Sequence, residues 1–460
     1  MALAVRQRGD AHRRWAWSPG SRTAVIVALL LSLAAAALVV YVLHTQRFTA
    51  ILDPHGYDYL ARTLARGHGW GYGNSAYRPP GYPVFLAGVY LLVGIPHGHG
   101  VFTAARLAEA VLATFTVGMI GLLALQVAGR VAALIALAIA AVYMPLVLVG
   151  VSLLSESLFL PLMLAATNCA LRARASRHPY RWIAAAGLFS GLAALTRGNG
   201  IVLGLALAVV VWTRRPRRSW RSALGPVVLL LVMSLTIAPW TIRNAYAQHA
   251  FIPVTDELGN TLKGTYNDLS LKQKFVWSGH GYSNYRSIQN DRHLSEAQRG
   301  SRLTSAVIDF IGHHPLYLPD GMFWNTVRLL DLQSRRASRS IAAVDADASA
   351  AFADIGVVNF WIVGALAILG GLTLLARRAP RSLWLVPLLM WASVAPVNGG
   401  TPRFRAALDP FVILLAAFAI EGGARALMAR RKPEQTPGKS PRQRRPRRRA
   451  VDLCAGKLRT

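Results

Sequence analysis

The sequence predicts an all-α polytopic membrane protein, and three observations predict it. Of its 460 residues 53% are hydrophobic and only 15% charged, where a soluble domain carries about 25% charge. Apolar runs near the length of a membrane span, roughly 20 residues, recur from one end of the chain to the other. The basic residues outnumber the acidic ones 51 to 20 and gather in the short turns between those runs and in the tail, as cytoplasmic loops do. The net charge of +31 therefore points to membrane topology rather than to nucleic acid. Two cysteines, Cys169 and Cys454, give no disulfide framework.

In chain order, residues 1–23 form a basic amino terminus, and Ala24–Leu43 is an unbroken apolar run followed by no small-residue cleavage site, hence an anchor. Further runs lie near 103–125, 131–150, 153–171, 182–196, 199–213, 223–240, 356–376, 382–398 and 406–428. Arg172, Arg174, Arg177 and Arg181 fill one turn, Arg214 to Arg221 another, and Arg377, Arg378 and Arg381 a third. All fall on the side of the amino terminus only if the short run 84–95 does not cross, so that run is expected at the membrane surface. The result is about ten spans with both termini cytoplasmic. The expected organisation is a transmembrane core over 24–240 with a first outer loop at 44–102, an extracytoplasmic loop domain at 241–355, closing helices at 356–428, and a basic tail at 429–460 that is disordered by composition.

The first outer loop carries the densest pattern. Tyr57, Leu60, Ala61 and Leu64 recur with the spacing of one helix face. Asp53 before Pro54 reads as an N-cap followed by a proline in the first turn, and Gly67 and Gly69 stop the helix. Three prolines stiffen Tyr77-Arg78-Pro79-Pro80-Gly81-Tyr82-Pro83. A carboxylate thus stands at a helix mouth, followed by aromatics, an arginine and a rigid return.

Asp53-x-x-x-Tyr57, Gly67-x-Gly69 and Arg78-Pro79-Pro80-Gly81-Tyr82-Pro83 together resemble the first outer loop of GT-C-fold glycosyltransferases. The relatives meant are the bacterial enzymes similar to protein O-mannosyltransferases and lipid A aminoarabinose transferase. Ser155-Glu156, the run from Gly191 to Arg197, Pro239-Trp240-Thr241-Ile242-Arg243-Asn244 and Pro402-Arg403-Phe404-Arg405 follow in family order. The resemblance covers about residues 20–428. It implies a GT-C-like helical bundle that moves a sugar from a polyprenyl-phosphate donor to a glycolipid, polysaccharide or protein acceptor. The site would face the extracytoplasmic side of the cytoplasmic membrane.

The chemistry suits those residues. A phosphate leaving group needs no strong general acid. It needs a carboxylate to orient or deprotonate the acceptor, and cations to hold the departing phosphate. Asp53 and Glu156 are the expected catalytic carboxylates. Tyr57, Asp58, Arg78, Arg243, Lys263, Arg403 and Arg405 are the expected substrate-binding residues, the last two being basic residues on the otherwise arginine-poor side. No cofactor is required, although Glu156 leaves room for a divalent metal ion. His97-Gly-His99 and His313-His314 lack a third ligand and read as polar loop. The bland alternatives are that Asp53 only caps its helix, that Asp58 is a solvated charge, and that the outer arginines meet lipid headgroups. Two other functions stay open, a transporter or lipid flippase and a non-catalytic membrane assembly factor.

Overall fold

The computed structural model describes residues 21–71, 75–95, 100–212, 220–278, 283–373, 375–397 and 400–430. The amino terminus before residue 21, His97 and His99, the arginines at 214–218 and the tail beyond 430 lie outside the described residues. The chain divides into two compact units, 1–422 and 423–460, the second contributing the described end of the last helix, Asp409–Arg430.

The described residues are helical, with no strand among them. The fold is that of a multi-pass membrane protein, although about ten spans are not confirmed. Among the described residues five helices are long and apolar enough to cross: Arg22–His44, Phe102–Val127, Arg221–Gln248, Ala350–Gly371 and Asp409–Met428. The run expected at 131–150 instead breaks into Arg130–Ala141 and Met144–Gly150, bent by 61°. Pro145 in the new first turn has no amide hydrogen to continue the ladder. Gly200–Trp212 and Arg381–Val394 are apolar but short, and Glu156–Ala175 carries Glu156, Arg172 and Arg174 at its ends. The largest core cluster joins the helices along inward faces such as Ile120, Leu123, Ala136, Phe159, Leu203 and Phe418. Close approach there uses glycine: a Cβ on Gly187 would meet the Leu229 carbonyl at 2.5 Å.

The first loop folds as Asp53–Ala65 packed on the short apolar helix Gly81–Val93. Tyr57, Leu60 and Ala61 are buried on one face, as their spacing requires. Gly67 and Gly69 take φ of 74° and 70° beyond the helix end, conformations that suit glycine. Asp53 is not the N-cap. Leu52, whose side chain offers no acceptor, holds that position with φ 57°, and the Asp53 carboxylate is engaged elsewhere.

The second loop is folded. Helix Leu224–Gln248 continues through Pro239, so the run from Pro239 to Asn244 lies inside a helix. Beyond it, Leu258–Thr265, Glu296–His313 and Tyr317–Leu329 surround a small core of Leu262, Tyr266, Phe275, Tyr285, Leu303 and Val307. Ser295 and Gln298 form a reciprocal capping box that starts the longest of these helices.

Candidate active site

Asp53 sits between two guanidiniums that come from opposite ends of the chain. Arg78 Nη2 donates to its Oδ1 at 2.5 Å, across 25 residues. Arg403 Nη2 donates to its Oδ2, across 350 residues. The stiff proline segment delivers the first guanidinium, and the turn Pro402–Ala407 before the last span delivers the second. Burial alone would raise the Asp53 carboxyl, but Arg403 and Arg78 outweigh it and hold the group well below the usual carboxylate range. Burial likewise opposes the charge of Arg78, and Asp53 more than restores it.

Aromatic rings fix the orientation of these cations. The Arg78 guanidinium lies 4.8 Å from the Tyr57 ring centroid and 5.4 Å from that of Tyr77, and Arg403 lies 4.7 Å from that of Phe404. Tyr57 stands edge-on to Tyr82, whose hydroxyl donates to the buried Glu109 at 2.7 Å. Glu156, at the start of its helix, is paired with Arg197, whose guanidinium lies 5.2 Å from the Phe404 ring centroid. Glu257, from the second loop, approaches Arg78 Nη1 at 4.0 Å. Three carboxylates and three guanidiniums therefore meet on one face.

Five of the expected site residues, Asp53, Tyr57, Arg78, Glu156 and Arg403, belong to this cluster. The other four have different partners. Asp58 is neither a solvated charge nor open to a ligand: it is 8% exposed and accepts from Arg62 Nε at 2.7 Å and from the Tyr90 hydroxyl at 2.5 Å. It ties the two first-loop helices together. Arg405 is buried among protein groups. It pairs with Asp331 at 2.7 Å and Asp409 at 3.0 Å and donates to the Leu329 carbonyl. Arg243 donates to the Ser75 carbonyl at 3.2 Å and lies over Trp240. Lys263 is buried and donates to Gln289 within the second loop; burial, with Arg299 nearby, pulls its ammonium down to about 8.

Sequence reasoning missed two members. Arg197 was visible only as the end of a motif in an outer turn. Glu257 had a signal: an acidic pair, Asp256-Glu257, just beyond a span in a chain with only 20 acidic residues. Among the described residues no three His, Cys, Asp or Glu lie close enough together to hold one metal ion, and Glu156 is salt-bridged to Arg197.

Beside the cluster lies a groove of about 470 Å³, part of it open to solvent, with Arg403 in its wall. Pro145, Leu148, Val149, Leu154 and Val357 make it largely apolar, and the paired Arg405, Asp331 and Asp409 also contribute to its wall.

The family model described as dolichyl-phosphate-mannose-protein mannosyltransferase matches residues 77–242. That span includes Arg78, Glu156 and Arg197 but stops short of Asp53, Glu257 and Arg403. No curated protein matches the chain. Among solved structures it is similar to the archaeal oligosaccharyltransferase AglB from Archaeoglobus fulgidus in complex with an inhibitory peptide and a dolichol-phosphate. The identity is 13%, the TM-score 0.51, and the match covers 89% of this chain and 52% of that one. The A. fulgidus oligosaccharyltransferase tethered with an acceptor peptide gives 14% identity and a TM-score of 0.54, over 89% of this chain and 51% of that one. The chain thus spans about half the length of these oligosaccharyltransferases. ArnT from Cupriavidus metallidurans bound to undecaprenyl phosphate is looser, at 16% identity and a TM-score of 0.42, over 88% and 78% of the two chains.

Proposed function

The chain carries the GT-C fold, and on that premise we propose that it transfers a sugar from a polyprenyl-phosphate donor to an extracytoplasmic acceptor across the Asp53 cluster. The observation that carries the reading is the bridging of one carboxylate by Arg78 and Arg403 at the rim of an apolar groove. Two guanidiniums on a single carboxylate make a site that a phosphate can enter by exchange. The donor's phosphate oxygens accept the hydrogen bonds that Asp53 accepts in the free protein, while the groove takes apolar chain. The dolichol-phosphate in the AglB structure, which shares the fold, supports a lipid phosphate as donor.

Released from its clamp, Asp53 stays ionised. It then faces the positive charge that grows at the sugar carbon. Arg78 and Arg403 hold the leaving phosphate as negative charge builds on it. Glu156 and Arg197 brace the cluster through Phe404. The sugar is a pentose or a hexose, the acceptor a glycolipid, polysaccharide or protein, and the setting the cytoplasmic membrane with the site facing outward.

Profiling glycolipids and glycoproteins of a strain lacking the gene tests this reading. One glycan class should disappear and return with the wild-type gene but not with Asp53→Asn. An unchanged profile, or full complementation by Asp53→Asn, would overturn it.

A further inference from the structure

We propose that Glu257 accepts the proton of the acceptor hydroxyl in the transfer just described, and this assignment rests on that reading. The need is a chemical one. When the acceptor oxygen bonds to the sugar carbon, the carbon–oxygen bond to phosphate breaks and its electron pair leaves with the polyprenyl phosphate. The hydroxyl proton must go to a base. Asp53 is poorly suited, because in that reading its negative charge faces the positive charge growing at the sugar carbon, and taking the proton would remove that charge. Glu156 is committed to Arg197 and only 4% of its side chain is exposed.

Glu257 is placed for the task by backbone contacts. Thr255 Oγ1 donates to the Tyr77 carbonyl at 2.5 Å, and the Asp256 amide donates to the Ala76 carbonyl at 3.3 Å. The Ala76 amide donates in turn to Glu296 Oε1 at 2.7 Å, and the Glu257 amide donates to Thr255 Oγ1 at 3.2 Å. Residues 255–257 are thereby laid along 76–77, which brings the Glu257 side chain to Arg78. Glu257 holds the N-cap position of Leu258–Thr265, yet its side chain makes no capping bond. With 35% of the side chain exposed, the carboxylate can pass its proton on to water.

The charges around it are Arg78, Asp53, Arg197 and Arg403, with Tyr77, Tyr57 and Asp256 nearby. Burial raises the Glu257 carboxyl above its ordinary value even though Arg78 pulls the other way. Donor binding strengthens the base further. Once a phosphate takes the hydrogen bonds of Arg78 and Arg403, Glu257 gains an anionic neighbour and its affinity for a proton rises.

The test uses the purified full-length chain, a panel of radiolabelled polyprenyl-phosphate pentoses and hexoses, and glycolipid, polysaccharide and protein fractions from the deletion strain as acceptors, following label passing from the donor to a new chromatographic species as a function of pH. Wild type should slow at acid pH as Glu257 protonates. Glu257→Gln should lower the rate by about 10²–10⁴ and lose the acid limb, while its affinity for unlabelled polyprenyl phosphate stays within a few-fold. Glu257→Asp should recover part of the rate and restore an acid limb, which shows that the loss is not one of folding. A Glu257→Gln rate within a few-fold of wild type, or an acid limb that survives the substitution, overturns the assignment and leaves the transferase reading standing. No turnover of any donor by wild type overturns both.

Discussion

Arg403 and Arg405 leave the same short turn, Pro402–Ala407, and end in opposite electrostatic settings. At Arg403 two guanidiniums share one carboxylate, Asp53. At Arg405 two carboxylates, Asp331 and Asp409, share one guanidinium. The first arrangement welcomes an anion and the second repels one. Access differs in the same sense: the side chains of Asp53 and Arg78 are 27% and 16% exposed, those of Asp331 and Arg405 1% and 3%. Arg405 is also pressed over the Phe360 ring at 3.5 Å from its centroid. On the proposed reading the arginine-rich motif divides its labour, one guanidinium for exchange with ligand and one for tying the turn before the last span to residues 329–331. Both are expected from sequence to bind phosphate; in the structure Arg405 Nε and Nη1 are instead engaged by Asp409, Asp331 and the Leu329 carbonyl.

The largest effect that can break this comparison is on folding. Arg405→Ala leaves two buried carboxylates facing each other, and losing one partner of a buried ionic group costs about 3–5 kcal/mol. The variant should give little monodisperse protein after extraction, as read by size-exclusion chromatography and thermal melting. Normal yield with weakened lipid-phosphate binding would restore Arg405 to the site.

Asp53→Asn should instead extract as folded protein, with a melting temperature somewhat below wild type because the charge that offsets Arg78 and Arg403 is gone. It frees both guanidiniums, so affinity for polyprenyl phosphate should be unchanged or tighter. Transfer should nevertheless fall about a hundredfold, since small errors in placing reacting groups cost that much. The split between binding and turnover separates this role from a helix cap, which Asn would serve equally well.

Arg403→Ala removes a charge-assisted contact. Hydrogen bonds to charged groups contribute about 1.5–3 kcal/mol, so donor affinity should weaken about ten- to a hundredfold. Equilibrium binding of labelled polyprenyl phosphate checks it, and unchanged affinity would remove Arg403 from the phosphate site.

The smallest effect concerns the seam between the two loops. Burial, reinforced by the charge and hydrogen bond of Glu296, raises the Asp256 carboxyl from 3.8 to about 7. The folded state therefore favours the protonated form. This stabilising contribution is complete below the ordinary carboxylate value and is lost as pH rises through about 7. Amide exchange across 75–77 should quicken above that pH by more than intrinsic exchange chemistry accounts for. Asp256→Asn should remove the excess, and an identical pH response in the variant would exclude the carboxyl as its source.

The sequence by itself determined the class of the molecule, the first-loop helix and most of the residues that compose the site. Those features are local. Apolar length specifies a membrane helix, the spacing of Tyr57, Leu60 and Ala61 specifies a buried face, and Gly67 and Gly69 specify a stop. Asp53, Arg78, Glu156 and Arg403 stood out as rare charges at helix ends in an apolar chain. What each charge does was decided only in three dimensions, because pairing depends on neighbours hundreds of residues away. Asp53 looked like a cap until Arg403 reached it. Asp58, one helical turn on, looked solvated until Tyr90 closed over it. Glu257 was marked only as half of an acidic pair beyond a span, and the seam along 76–77 is what brings it to Arg78. Two residues apart, Arg403 and Arg405 carry the same charge in sequence, and only tertiary packing sets one beside a carboxylate shared with Arg78 and the other between two buried carboxylates.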